Sequence, residues 1–303
     1  MAMSSSLKEF VTKPEQKLFI GTANFNEKYG VQRRASIFDR KDLSKIFLEV
    51  ESIHNIFLDT AQAYFGVEKL IGNIAGKKLN NKVVTKINPH KFDTSKSIVK
   101  LVEKSLTDLN QSCLYGVLLH NTNILESPNI DDIVQGLEYC LDSGIVSHIG
   151  LSSYESSAIQ LAAAKYDTFT LFQLNENIVD QRNFHSKELS ALKELNKEIF
   201  VRSIFLQGNL LVTDSEIIES LMPKREVFIA FKEFCRKHNS SPLKICLDYA
   251  KSITWSNGII VGVTSFENYL EIIESYINPI NVSNFLTPTL GNFYSDPRNW
   301  IDS

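Results

Sequence analysis

Short apolar runs of β-type composition recur along the chain at the spacing of one strand plus one helix. No other feature constrains the fold as much. Eight such runs stand at Lys17–Thr22, Ile56–Ala61, Lys82–Ile87, Gly116–Asn121, His148–Ser152, Thr170–Leu174, Ile199–Ser203 and Gly258–Val263. Most are apolar at consecutive positions, as strands covered on both faces by helices require. Their starts lie 22 to 39 residues apart, except for the last, which follows at 59. Amphipathic stretches fill the intervals: Asp39–Glu51, Ser95–Leu109, Ile130–Asp142, Lys187–Asn196 and Phe266–Tyr276. The longest interval holds the loop Gln207–Pro223 and two helical patterns, Lys224–His238 and Pro242–Ser252. Eight strands alternating with helices predict an α/β chain folded as a single (β/α)8 TIM barrel over 1–303. Its core runs from about 17 to 277, and 278–303 form a C-terminal tail. A doubly wound sheet is the rival, but no Gly-x-Gly-x-x-Gly follows the first run.

A hydrophobic share of 43% over 303 residues suffices for one such core. The 32 Lys+Arg against 35 Asp+Glu leave no bulk positive field, so nucleic acid is not an expected partner. No run approaches the ~18 apolar residues of a membrane span, and the first residues lack a signal-peptide core. The expectation is a cytoplasmic chain without a membrane partner. Four cysteines without a Cys-x-x-Cys, and histidines without His-x-His or His-Glu-x-x-His spacing, predict reduced thiols and no metal site. Nothing in the sequence specifies an oligomeric state.

Active groups of such barrels sit at the C-terminal ends of the strands. Those ends supply Asp59, Tyr64 in the loop that follows it, Lys86 and His120. Singly, each has an ordinary reading: a helix cap, a loop aromatic, a snorkelling lysine and a core imidazole. Together, a carboxylate, a phenol, an amine and an imidazole at three adjacent strand ends would be costly as packing alone. They do suit one reaction. A phenol is a weak acid near neutral pH, and an ammonium beside it stabilises the phenolate. Asp59 would keep Lys86 charged and oriented, and His120 would hydrogen-bond a carbonyl oxygen. The phenol then protonates that oxygen as hydride reaches the carbon.

The residues around these positions resemble the aldo-keto reductases. The likeness extends from about Leu18 to Ser275. It is carried by Gly21-Thr22-Ala23, by Asp59-Thr60-Ala61-x-x-Tyr64 continued by Glu68-x-x-x-Gly72, by Ile149-Gly150-Leu151-Ser152-Ser153 and by Phe172-Gln173-Leu174-Asn175. The resemblance implies a catalytic tetrad of Asp59, Tyr64, Lys86 and His120. It implies a nicotinamide dinucleotide as cofactor, NADPH with NADH left open, and a small-molecule carbonyl substrate. Gly21, Thr22, Ala23 and Asp59 would line the cofactor cleft, and Ser152, Ser153 and Gln173 would hold the carboxamide. Arg202, Ser203, Phe205, Leu206 and Gly208 fall on the pyrophosphate loop. Gly262, Thr264, Ser265, Asn268 and Glu271 fall on the adenosine side.

The sequence also departs from the family pattern. Arg202 stands where an aromatic residue is usual. Asn268 and Ile272 occupy positions near the 2′-phosphate, which therefore lacks its usual Arg. Candidate substrate contacts are Phe25, Tyr29, Phe65 and Asn121, with Phe205 nearby. The aromatic and polar tail Asn292–Trp300 is expected either to fold over the barrel mouth or to pack on an outer helix. The reading is NAD(P)H-dependent reduction of an aldehyde or ketone on a small metabolite, with sugar-derived compounds among the candidates and Tyr64 as proton donor. A non-catalytic dinucleotide-binding sensor or partner subunit is the alternative. A lyase forming a Schiff base through Lys86 is a more distant one.

Overall fold

The computed structural model describes residues 16–25, 38–213, 216–217, 219–280, 282, 285 and 289–300. Eight parallel strands close into a barrel in chain order: β1 (Lys17–Gly21), β2 (Ile56–Asp59), β3 (Val83–Ile87), β4 (Leu114–Leu119), β5 (Val146–Ser153), β6 (Phe169–Asn175), β7 (Glu198–Arg202) and β8 (Gly258–Gly262). β8 returns to β1 in register, Phe19 opposite Ile260. The helices are α1 (Arg40–Ser52), α2 (Val67–Ala75), α3 (Ser95–Leu109), α4 (Ile130–Asp142), α5 (Ser156–Lys165), α6 (Lys187–Glu194), α7 (Arg225–Lys237), α8 (Pro242–Ser252), α9 (Phe266–Ile277) and the short α10 (Asn292–Ser295).

Besides the one-turn α10 in the tail, two helices have no counterpart among the sequence-predicted stretches. α5 contains Ala162-Ala163-Ala164, which gives little contrast between its two faces. α2 starts from Gly66 at φ 71°, without a side-chain cap. The helices with legible starts carry ordinary caps. Asp39 accepts from the Asp42 amide at 2.8 Å, and Thr94 and Ser97 form a reciprocal capping box. Ser241 precedes Pro242 at the first position of α8. No helix among the described residues is long and apolar enough to cross a membrane.

The two faces of the strands build two cores. Outward residues such as Leu18, Ile20, Leu58 and Ile149 join the helices in one large apolar layer. Inward residues form a second cluster of Phe19, Phe57, Val84, Tyr115, Leu118, Leu171, Phe200 and Ile260. Phe19 lies at its centre, stacked on Phe57 at 4.9 Å and tilted against Phe200 at 4.6 Å. Burying one such ring contributes roughly 2–3 kcal/mol. Below this layer Lys17 bonds to both Tyr115 and Glu198, closing the N-terminal end of the barrel with charge. Because side chains alternate along a strand, the next inward position after this plug lies at the opposite, C-terminal mouth.

Candidate active site

That alternation decides which side chains reach the mouth. Two residues beyond Phe57 stands Asp59, beyond Val84 Lys86, beyond Leu118 His120, beyond Leu171 Gln173, and beyond Phe200 Arg202. Gly21 and Gly262 take the same places beyond Phe19 and Ile260 and leave the mouth open. The result is a cleft of about 870 Å³.

Lys86 is the most constrained group there. It is 2% exposed, and its ammonium donates to both Asp59 oxygens, at 2.8 and 2.7 Å, and to the Thr60 carbonyl at 3.0 Å. Burial pushes the lysine below its ordinary range, while Asp59 opposes that shift. An ammonium whose three N–H groups are all taken has no lone pair to attack a carbonyl, which argues against the Schiff-base role. Asp59 also accepts from Gln173 Nε2 at 2.5 Å. The Gln173 Oε1 is left buried without a partner among the described residues. Lys86 Nζ lies 5.8 Å from the centre of the Tyr64 ring. The Tyr64 ring stands at 86° to the His120 imidazole, 6.3 Å between centres. Burial, with the charges of Lys86 and Arg202, pushes His120 down to about 3, so the imidazole is neutral at pH 7. Its Nδ1 is buried and unpartnered among the described residues.

The dinucleotide-binding positions are brought together in part. Gly21, Ala23, Asp59, Ser152, Ser153, Arg202, Ser203, Phe205, Gly208, Gly262, Thr264, Asn268 and Glu271 all line the cleft. The loop after β7 has left-handed backbone at Ser203, Leu206, Gln207 and Gly208, with φ of 62°, 48°, 52° and 89°. Three non-glycine residues in that region cost roughly 1–2 kcal/mol each, a strain expected where backbone N–H groups must converge on an anion. The Gly208 face is open, with no atom within 4 Å of where a Cβ would stand. An orphaned amide oxygen, a strained loop and the N-terminus of α9 are together a fitting cradle for a nicotinamide dinucleotide.

Other predicted positions lie elsewhere or are engaged in local contacts. Thr22 is fully buried, and its hydroxyl donates to the Asp59 carbonyl at 3.0 Å, so it pins β1 to β2. Leu206 is fully buried in the apolar layer. Ser265 caps α9, accepting from the Asn268 amide at 3.0 Å. The Asn268 side chain turns back to accept from the Thr264 amide at 3.2 Å. Ile272 is fully buried and faces the core instead of a phosphate. Phe25 does not fit a substrate contact: it is 4% exposed and packs edge-on against Phe38 at 5.1 Å, because an aromatic ring there completes the apolar layer under α1. Phe65 is 77% exposed and outside the cleft lining, since the turn into α2 carries it outward. Asn121 lines the cleft while capping the turn at the Asn123 amide, 2.9 Å away. Tyr29 lies outside the described residues.

Sequence reasoning did not single out Tyr154 or Arg298, which also line the cleft. Of the two expected positions for the tail, the structure takes the barrel mouth. The Leu290 amide donates to the Val179 carbonyl at 2.8 Å, and Arg182 donates to the Ser295 hydroxyl at 2.7 Å. This brings Arg298 to 4.1 Å from the Tyr154 ring centre, and Arg202 lies 4.2 Å from the same ring. No local pattern signals that meeting, because the residues come from three distant segments.

A sequence model of the aldo/keto reductase family matches residues 17–285. No curated protein sequence matches the chain. Among solved structures, an aldo-keto reductase of Bacillus halodurans in its holo form is 17% identical, with a TM-score of 0.66 over 89% of this chain and 88% of that one. A Pseudomonas aeruginosa protein assigned to the same group is 16% identical, with a TM-score of 0.62 over 88% and 92%. At these identities the structural likeness shows the fold.

Proposed function

Because the chain belongs to the aldo/keto reductase family, whose members are oxidoreductases using nicotinamide cofactors, we propose that it reduces an aldehyde or ketone on a small metabolite with NAD(P)H. The observation that carries this reading is the buried Lys86–Asp59 pair set against Tyr64, with a neutral His120 at right angles to the phenol.

When bound, the dinucleotide supplies hydride. The remaining work falls to side chains of this chain. Tyr64 gives its phenolic proton to the developing alkoxide. The Lys86 ammonium, kept charged by Asp59, faces the phenol and stabilises the phenolate left behind. A neutral His120 donates one N–H to the same oxygen and orients it without competing for the proton. Ser152, Ser153 and the orphaned Gln173 Oε1 would hold the carboxamide, which would set the face presented to the substrate. The loop from Ser203 to Gly208 and the start of α9 receive the phosphates. NADPH is the proposed cofactor. The Asn268 side chain, engaged with Thr264, offers no cation to a 2′-phosphate, so NADH remains a competitor. Sugar-derived carbonyl compounds are among the proposed substrates, since amides of Asn88, Asn121 and Asn123 line the cleft beside the tetrad.

The test is a parallel titration with NADPH and NADH, followed by the fluorescence of Trp255 and Trp300, and then turnover over a carbonyl panel. Saturable binding with turnover, and a Tyr64→Phe variant that keeps the cofactor affinity but loses a hundredfold or more in kcat, is the expected result. Binding without turnover of any carbonyl would instead favour a dinucleotide sensor.

A further inference from the structure

Of the described cations Lys86, Arg182, Arg298 and Arg202 at this end of the barrel, the first three each have a carboxylate of their own. Lys86 holds Asp59 at 2.7 Å, Arg182 holds Asp180 at 2.9 Å through Nε, and Arg298 grips both oxygens of Asp296. Arg202 differs. Its guanidinium donates to Asn175 Oδ1 at 2.8 Å, the Ser203 hydroxyl at 3.3 Å and the Ser153 carbonyl at 3.2 Å, all of them neutral. Its Nε is buried with no partner among the described residues. A guanidinium does not escape this cost by losing its proton, so its charge stays partly buried without a counter-ion of its own among the described residues. Arg202 acts through space on the carboxylate of Asp296, which is already committed to Arg298.

We propose that Arg202, backed by Tyr154 and Arg298, is an oxyanion-binding subsite beside the catalytic groups, and that the carbonyl substrate carries a carboxylate or phosphate. Three observations place it. Arg202 follows Phe200 by two residues on β7 and so points into the same layer as Lys86 and His120. Its neutral acceptors and the Tyr154 ring at 4.2 Å hold the planar group in a fixed orientation, which lowers the entropy lost on gripping an anion. Arg298 reaches the same ring from the tail at 4.1 Å, adding a second guanidinium at the rim. The Arg298 charge is offset by Asp296, so of the two guanidiniums Arg202 is the one without an ion-pair partner among the described residues.

This inference rests on the carbonyl-reduction reading for the reacting group, but the anion site is measurable without turnover. The probes are matched pairs: 4-carboxybenzaldehyde against benzaldehyde, and glyceraldehyde 3-phosphate against glyceraldehyde, each with NADPH. Calorimetry of 4-(hydroxymethyl)benzoate against benzyl alcohol, on protein saturated with NADPH, pairs a reduced ligand with a reduced cofactor, so no hydride can pass and the heat reads binding alone. The wild type is expected to favour an anionic member by about tenfold or more in kcat/KM and in affinity, with the favoured pair telling carboxylate from phosphate. In Arg202→Gln the preference should fall to within about threefold, and in Arg298→Gln by a smaller factor. No preference in the wild type, or one that survives Arg202→Gln, overturns the proposal. So does a loss of NADPH affinity in Arg202→Gln equal to the loss for the anionic probe, which would assign the guanidinium to the dinucleotide's own phosphates. If neither aldehyde turns over but the calorimetric preference holds, the reduction reading fails and the anion site stands. Should Arg202→Gln not fold, Arg298→Gln, on the outer edge of the tail, decides: a smaller but measurable fall in the preference supports the subsite, and an unchanged preference overturns it.

Discussion

Removing both partners of the Lys86–Asp59 pair should cost the barrel far less than the sum of removing each alone. In Asp59→Asn, an ammonium that is 2% exposed loses its only carboxylate, and two of its three hydrogen bonds go to an amide. Breaking a buried pair in this way costs about 3–5 kcal/mol. Lys86→Met strands the carboxylate instead, with Gln173 Nε2 at 2.5 Å still donating, so its cost should fall at the lower end of that range. The double variant Asp59→Asn/Lys86→Met holds no buried charge at this point. Its cost should lie at least about 2 kcal/mol below the sum of the single costs. Urea unfolding reads this through Trp255, which is fully buried with its indole N–H donating to the Asn183 carbonyl at 2.7 Å. The pH dependence adds a second check. Burial lowers the folded pKa of Lys86, and loss of Asp59 removes an interaction that raises it. The unfolded lysine stays protonated up to about 10.4, so between the folded and unfolded values the unfolded state binds more protons. The deficit of Asp59→Asn relative to wild type should therefore shrink as pH rises from 7 towards 10. Single costs below about 1 kcal/mol, or costs additive within about 0.5 kcal/mol, would refute the assignment of a desolvated, mutually dependent pair.

Three further outcomes are expected. The folded pKa of His120, about 3, lies below the unfolded value of about 6.5, so wild-type stability falls as pH drops through that window, by up to about 1.4 kcal/mol per pH unit from this group. His120→Gln should flatten the acid limb of a Tm-against-pH curve, and parallel limbs would mean that the imidazole is not buried in its neutral form. Asn268→Arg should raise affinity for NADPH relative to NADH by about tenfold, measured as a ratio of Kd values, provided the 2′-phosphate lies at the start of α9; an unchanged ratio places it elsewhere. Gly150→Ala should fail to give soluble folded protein, because its Cβ would lie 1.8 Å from the Leu171 carbonyl oxygen; a variant with wild-type Tm would contradict that close approach of β5 to β6.

Much of the architecture was legible because it rests on local regularities. Apolar runs one βα unit apart announced eight strands, and period-two alternation from Phe57 to Asp59, Val84 to Lys86 and Leu118 to His120 sent three of the four tetrad candidates to one mouth. Tyr64 was legible through the Asp-Thr-Ala-x-x-Tyr spacing, since a short turn after β2 leaves it few places to go. The Ala-rich α5 was not legible, because three alanines suit a helix without saying which side is covered. Nor was the inward burial of Phe25, where an aromatic residue in a loop reads equally well as pocket wall or as core.

What no local pattern contains is the set of meetings between distant segments. Arg202 could be seen as a departure from an aromatic position. That its neighbours are neutral depends on Asn175 from β6 and Ser153 from β5. That Tyr154 lies beside two guanidiniums depends on a tail docked against Val179 and Arg182. Strand parity specifies which residues enter the mouth, because it is a property of the backbone over a few residues. Which charges are compensated there is a property of the closed barrel, because an ion pair is made by position in space and is indifferent to separation along the chain.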